Sequence, residues 1–322
     1  MGASAQALVA QTRRSIEAAL AGDDRRLVVI VGPCSIHDPA AALAYADHLA
    51  QEAEALDERL IIAMRCYFEK PRTTVGWKGL INDPMMDGSF RINDGLRMAR
   101  QLLKEVTDRG LAPATEFLDT TVPQHIADFI VWGAIGARTS ESQTHRELAS
   151  GLSMPIGFKN ATDGNVQIAI DALKAARQPH WFPGASKDGV AAIVQTSGNP
   201  TCHVVLRGGS RTGPNYSEEH VRNAVSILER EGLPRRVMVD ASHANSGKDH
   251  ERQLLVLRDV SEQIRRGSDS IFAVMIESHL VEGRQDLAPG RALTYGQSVT
   301  DACLGWAQTR DALRALAENI SH

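Results

Sequence analysis

The apolar positions along this chain change period repeatedly. From residue 5 to 20 they recur at helical spacing, and Gly22 followed by Asp23 and Asp24 stops the pattern. RLVVIVG at 26–32 then runs apolar almost without a break. Such a run fits a strand buried on both faces, because neither face meets water. The same signal returns along the chain and predicts strands at 27–31, 60–65, 112–117, 134–138, 155–159, 203–207, 237–240 and 272–277. Between them the period becomes helical, as in AALAYADHLAQEAEAL at 41–56, DGLRMARQLLKEVTDRG at 94–110, NVQIAIDALKAARQ at 165–178 and SEEHVRNAVSILEREG at 217–232. Alternating strands and helices imply a parallel sheet, and eight repeats close it into a (β/α)8 TIM barrel of the α/β class.

Two intervals exceed what a simple crossover needs. One, 66–111, contains KPRTTVGWKGLINDP, and the other, 165–202, contains HWFPGASKDG. Both are expected to add rim elements, in the loops after strands two and five. No linker, low-complexity run or charge block divides the 322 residues. The expectation is one catalytic domain over 1–322, with residues 1–25 as a short N-terminal helical extension.

Composition narrows the chemistry. A net charge of −4 argues against nucleic acid, which selects basic surfaces, but allows a local cationic cluster for small anions. The four cysteines form no CxxC pair, the N-terminus lacks the apolar segment of a signal peptide, and no run of about 20 apolar residues occurs. The expectation is a cytoplasmic protein with reduced thiols, no membrane span and no nucleic-acid partner.

In a (β/α)8 barrel the chemistry sits at the C-terminal ends of the strands. Here those ends carry polar residues almost all round. Cys34 follows strand one, Arg65 ends strand two, and Glu116 lies near the end of strand three. Arg138, Lys159 and Arg207 end strands four, five and six. His243 lies just past strand seven, Glu277 ends strand eight, and Asp301 follows in GQSVTDACLGW. Singly, each has an ordinary explanation: a solvated arginine, a core cysteine, a packed histidine. Independent surface charges, however, have no reason to mark one end of every strand. Arg65, Lys70, Arg138, Lys159 and Arg207 form a cationic set suited to a small substrate with carboxylate and phosphate groups. Cys34, His243, Glu277 and Asp301 offer S, N and O donors compatible with a divalent transition metal. These residues alone indicate a barrel enzyme, a phosphorylated anionic substrate and a metal, and leave the reaction open.

The motifs around these positions are GPCSIHD at 32–38, RCYFEKPRTTVGWKGLINDP at 65–84, ATEFLD at 114–119, WGAIGARTSESQTHRELASGLS at 132–153, GFKNATDG at 157–164, LRGG at 206–209, DASHANSGK at 240–248, VMIESHLVEG at 274–283 and YGQSVTDACLGW at 295–306. Together, from about residue 25 onward, they resemble the type I, alpha-subgroup, 3-deoxy-D-arabino-heptulosonate 7-phosphate (DAHP) synthases. The resemblance implies a transferase that condenses phosphoenolpyruvate with erythrose 4-phosphate at the entry to the shikimate pathway. It implies Cys34, His243, Glu277 and Asp301 as ligands of one divalent metal ion, Mn2+, Fe2+, Co2+ or Zn2+. Arg138 and Arg207, with the backbone of Gly136 and Ala137, match the phosphate clamp for phosphoenolpyruvate. Arg65 and Lys159 match the partners of its carboxylate, and Lys70 stands between the substrates. Pro71, Arg72, Thr73 and Asp301 match the erythrose 4-phosphate site. Lys70, Glu116, Lys159 and His243 are the implied catalytic residues, Glu116 positioning water. The resemblance also implies a homodimer or homotetramer.

The cysteines separate further. Cys66 should point away from Arg65 by strand alternation and pack, and Cys202 should also be structural. Cys303, two residues after Asp301, is expected to approach Cys34, so that oxidation would join the two and expel the metal. Regulated relatives carry a longer segment before GPCSIHD, whereas 33 residues precede Cys34 here, and Pro183-Gly184 departs from their inhibitor pocket. Weak or absent inhibition by Phe and Tyr is the expectation. Three other readings stay open: a 3-deoxy-D-manno-octulosonate 8-phosphate synthase using arabinose 5-phosphate, disfavoured by KPRT at 70–73; a Schiff-base aldolase with Lys159 as nucleophile; and an inactive sensor on the same scaffold.

Overall fold

In the computed structural model, which describes residues 1–72, 75–287 and 292–320, eight parallel strands close a barrel. They are β1 (Leu27–Gly32), β2 (Leu60–Arg65), β3 (Ala112–Glu116), β4 (Trp132–Ile135), β5 (Ile156–Lys159), β8 (His203–Leu206), β9 (Val237–Asp240) and β10 (Ile271–Glu277), and β1 pairs with β10 to complete the ring. The expected fold class stands. Every residue of β1, β2 and β10 is buried, which is why these strands read as continuous apolar runs. Alternation sorts them: Val28, Ile30, Ile61 and Ala63 share the core inside the barrel, while Leu27, Val29, Val31, Ile62 and Met64 pack against the helices. Cys66 and Cys202 both fall in the outer core.

The helices follow the amphipathic stretches: α2 (Pro39–Ala55), α3 (Ile92–Asp108), the short α4 (Pro123–Ile126), α5 (Gln143–Gly151), α6 (Gln167–Ala176), α7 (Glu218–Arg230), α8 (Gln253–Arg265) and α9 (Trp306–Glu318). The start of α2 is set by Asp38, whose carboxylate accepts from the N–H groups of Ala40 and Ala41, with Pro39 in the first turn. The N-terminal helix α1 (Ala3–Ala21) ends at Gly22 in the left-handed conformation. It lies under the barrel: Val9, Ile16, Ala19 and Leu20 join the inner core, and Arg13 donates to the carbonyls of Ala127 and Ile130 ahead of β4.

Three details differ from the periodicity. The fourth strand starts at Trp132, because Trp132 pairs with Ala114 and Gly133 with Ile156; Arg138 therefore sits in the following turn. The second long interval holds an antiparallel hairpin, β6 (Trp181–Ala185) with β7 (Ala191–Gln195), which comes after α6 and so emerges from the N-terminal side of the barrel. A small sheet of β11 (Val281–Arg284) and β12 (Gln297–Ser298), without a strong pattern of its own, follows β10.

Candidate active site

Period-two alternation carries one residue of each strand into a ring at the barrel mouth. Reading round the inner face, the ring is Gly32, Arg65, Glu116, Gly136, Lys159, Arg207, Asp240 and Glu277, each two positions beyond an inward residue of its own strand. Six of the eight are ionisable. The two glycines make room for their neighbours: a Cβ at Gly136 would stand 2.5 Å from Glu116 Oε1, and one at Gly32 would stand 3.1 Å from the Arg65 backbone. Two ion pairs brace the ring. Arg65 donates to Glu277 at 3.1 Å and Lys159 to Asp240 at 3.1 Å, all four side chains essentially inaccessible to water. Removing one partner of such a pair costs about 3–5 kcal/mol, because the other charge is left buried alone.

Above the ring opens a cleft of about 800 Å³. Lys70, Pro71, Arg72, Glu116, Gly136, Ala137, Arg138, Lys159, Arg207, His243 and Asp301 all line it, so the structure brings together most of the residues singled out from sequence. Arg65 is not among its lining residues; its guanidinium lies below, between Glu277, Met275 and the Pro33 carbonyl. Thr73 lies outside the described residues.

The cationic side of the cleft is short of partners. Among the described residues Arg207 Nε is buried without an acceptor, and Nη1 donates to the Gly208 carbonyl at 3.2 Å. Burial lowers the Arg207 pKa, Asp240 opposes this, and the nearby Arg138 charge adds to the lowering. A bound anion would satisfy the orphaned donor and offset the repulsion between the two arginines.

A second group gathers acceptors. Donor atoms of Cys34, Glu277 and Asp301 lie within 4.8 Å of one another. A narrow void connects Glu277 and Asp301 with His243, which also lines the main cleft. His243 is not in the tight group of three; it stands beside it, its Nδ1 3.0 Å from Asp240 Oδ2. Burial and then Glu277 push the Cys34 thiol up, while Lys70, whose Nζ lies 3.0 Å from Cys34 Sγ, pulls the other way. For Lys70, burial works against the charge, but Cys34 and Glu277 outweigh it and hold the ammonium above its ordinary value. Two carboxylates and a thiol crowd together, Cys34 and Glu277 buried and Asp301 exposed, with Lys70 as a neighbouring cation, and the S, O and N donors fit a divalent transition metal better than Mg2+.

Some residues that shape the site carried no clear sequence signal. Asp240 is inaccessible and accepts from Lys159, His243 and Ser242. Its position on the inner face at the end of β9 was available from the alternation that exposed its neighbours in the ring. Asn160, Asn215 and Asn245 form a buried network that receives the N–H groups of Arg207 and Gly208 and donates to the Leu206 and Asp240 carbonyls. Glu69, raised to about 8 by burial, accepts from the N–H groups of Leu118 and Asp119 and ties the loop carrying Lys70 to the one after β3. The contacts of Asp240 with Lys159, of Asn160 with Arg207 and Asn215, of Asn245 with Leu206, and of Glu69 with Leu118 and Asp119 join residues far apart in the chain, and nothing in local pattern announces them.

The sequence profile of the DAHP synthetase I family matches residues 7–314. The chain belongs to the DAHP synthetase I family. It is 57% identical over 312 residues to the Phe-sensitive phospho-2-dehydro-3-deoxyheptonate aldolase of Escherichia coli (strain K12), covering 97% of this chain and 89% of that protein. It is 53% identical over 317 residues to the tyrosine-inhibited enzyme of the same name from Schizosaccharomyces pombe, covering 97% and 85%. Among solved structures, the phospho-2-dehydro-3-deoxyheptonate aldolase of Francisella tularensis SCHU S4 superposes with a TM-score of 0.97 at 53% identity, over 99% of this chain and 93% of that one. The reading from motifs therefore holds for family, fold and activity: this is a DAHP synthase. No described helix is long and apolar enough to cross a membrane.

Proposed function

We propose that the cleft performs the DAHP synthase reaction as follows. Phosphoenolpyruvate lies across the cationic side, its phosphate on Arg138 and Arg207 and the backbone of Gly136 and Ala137. Its carboxylate meets Lys159, with Arg65 beneath. Erythrose 4-phosphate enters over Pro71 and Arg72, its aldehyde directed towards Asp301. Cys34, His243, Glu277 and Asp301 hold one divalent ion, Mn2+, Fe2+, Co2+ or Zn2+. That ion, when bound, supplies Lewis acidity at the aldehyde. C3 of phosphoenolpyruvate attacks the aldehyde carbon, water held by Glu116 adds at C2, and phosphate leaves by C–O cleavage. Lys70, between the two halves, offers a proton near the new oxygen. Holding two mutually repelling anions in register is a large share of the rate.

The observation that carries this assignment is Arg207: a buried guanidinium whose Nε has no partner among the described residues, lining one cleft with Arg138 and with Asp301 of the Cys34–Glu277–Asp301 group. Lys159 is paired with Asp240 at 3.1 Å, which disfavours a Schiff-base nucleophile. The test mixes EDTA-treated protein with phosphoenolpyruvate and either erythrose 4-phosphate or arabinose 5-phosphate, with and without Mn2+, and follows phosphoenolpyruvate absorbance. Metal-restored turnover with erythrose 4-phosphate alone is expected. No turnover with either sugar under any metal overturns the assignment.

The proposal extends to the cytoplasm, where four free and buried thiols stay reduced, and to a homodimer or homotetramer, which light scattering would measure. Cys303 donates to the Asp301 carbonyl at 3.6 Å, and burial and then the nearby Cys34 push the Cys303 thiol up. Peroxide is expected to oxidise both thiols to one disulfide, releasing two waters, with loss of the metal. Peptide mass spectra lacking that cross-link in inactivated protein would remove the idea.

A further inference from the structure

We propose that Asp240 couples the two halves of the cleft, so that an anion engaging Lys159 strengthens metal binding at His243, and a metal at His243 strengthens anion binding. The inference rests on the reading of the cleft given above, and adds a positioning residue to it.

The Asp240 carboxylate is inaccessible to water and surrounded by donors. Oδ1 accepts the Ser242 N–H at 3.0 Å and the Ser242 hydroxyl at 2.6 Å. The hydroxyl has one proton, committed to Oδ1, so its oxygen faces His243 Nδ1, 2.7 Å away, as an acceptor. Asp240 Oδ2 is 3.0 Å from the same nitrogen and is also an acceptor. Nδ1 must therefore carry the imidazole proton, and Nε2 keeps its lone pair for a ligand.

Lys159 Nζ reaches the same Oδ2 at 3.1 Å. One oxygen thus serves both a substrate-side cation and a metal-side imidazole. An anion that draws Lys159 towards the cleft leaves more of the Oδ2 charge to the Nδ1 proton, and the imidazole becomes a stronger donor at Nε2. Linkage requires the converse to the same degree. The backbone is built for this contact. His243 has φ +59°, a left-handed conformation that non-glycine residues seldom adopt. The Lys248 N–H bonded to the His243 carbonyl at 2.8 Å, and Asn245 Nδ2 bonded to the Asp240 carbonyl at 2.8 Å, hold that turn.

The test titrates Mn2+ into the EDTA-stripped full chain, with free Mn2+ read by electron paramagnetic resonance, with and without phosphoenolpyruvate. In the unaltered protein phosphoenolpyruvate should tighten Mn2+ binding by about fivefold or more. In Asp240→Asn, checked for folding by circular dichroism, the tightening should shrink below about twofold, the fraction of that coupling expected once the shared oxygen is gone. Attraction through space between substrate and metal would survive the substitution. An unchanged factor, or no tightening in the unaltered protein, overturns the coupling. If Asp240→Asn does not fold, histidine-labelled, metal-free protein decides. Phosphoenolpyruvate alone should move the His243 Nδ1 proton resonance, assigned by its loss in His243→Gln, downfield. A resonance that stays put while phosphoenolpyruvate binds overturns the coupling alone; failure of phosphoenolpyruvate to bind overturns the reading beneath it.

Discussion

At its N-terminal end the barrel is filled by Trp132, the largest fully buried side chain, whose Nε1 donates to His203 Nε2 at 3.1 Å. Phe272 packs edge-on against His203, and α1 closes the end from below. At the C-terminal end the same alternating backbone presents Arg65, Glu116, Lys159, Arg207, Asp240 and Glu277. The lower layer is largely apolar and close-packed, and its buried His203 is hydrogen-bonded within it. The upper layer is charged, and among the described residues it leaves an arginine donor orphaned and three metal-type donors crowded together. One end of a shared core can thus stabilise the fold while the other is held ready for ligands.

That contrast can be broken from either end. Cys34→Ser should leave the melting temperature near its original value or above, yet lower Mn2+-restored turnover roughly a thousandfold or more, since several kcal/mol of transition-state charge stabilisation depend on the metal. A variant that melts far lower and retains turnover would reverse the assignment of the upper layer. Trp132→Ala should do the opposite, costing about 3–5 kcal/mol in urea denaturation while the folded fraction keeps its phosphoenolpyruvate KM.

Acid should also strike the lower layer. Burial holds His203 at about 4, against 6.5 for an ordinary imidazole. Between those values the unfolded chain takes up a proton that the fold refuses, so stability falls as pH drops from 6.5 towards 4 and is unaffected by this group above that window. The loss from His203 is on the order of 3 kcal/mol. His279 sits at about 4 as well, first through burial, so His203→Gln should flatten only part of the profile of melting temperature against pH. An unchanged profile would mean that His203 is protonated within the fold.

Smaller effects sharpen the upper layer. Arg207→Ala should raise the KM for phosphoenolpyruvate about 10–100-fold, the equivalent of about 1.5–3 kcal/mol for a hydrogen bond to a charged group. A normal KM with lowered kcat would move Arg207 from binding to the chemical step. Smallest of all, Phe and Tyr should leave turnover nearly unchanged. A micromolar inhibition constant for either would show that the hairpin end of the barrel communicates with the mouth.

The barrel was legible because strands buried on both faces must be apolar at every position, and the chain obeys this in LVVIVG, LIIAMR and IFAVMIE. The polar strand ends were legible for the same reason, as breaks in those runs. Sequence by itself therefore determined the eight-strand order, the burial of Cys66 on the outer face and the set of charges at one end. It also placed the chain in its family through long ordered motifs. Only tertiary structure decided how those charges pair. Arg65 went to Glu277 beneath the cleft, Arg207 was left with a donor that nothing among the described residues accepts, and Lys159, Ser242 and His243 converged on Asp240. Partners in a closed ring come from strands tens to hundreds of residues apart, and their distances depend on barrel closure and register, which local periodicity does not encode.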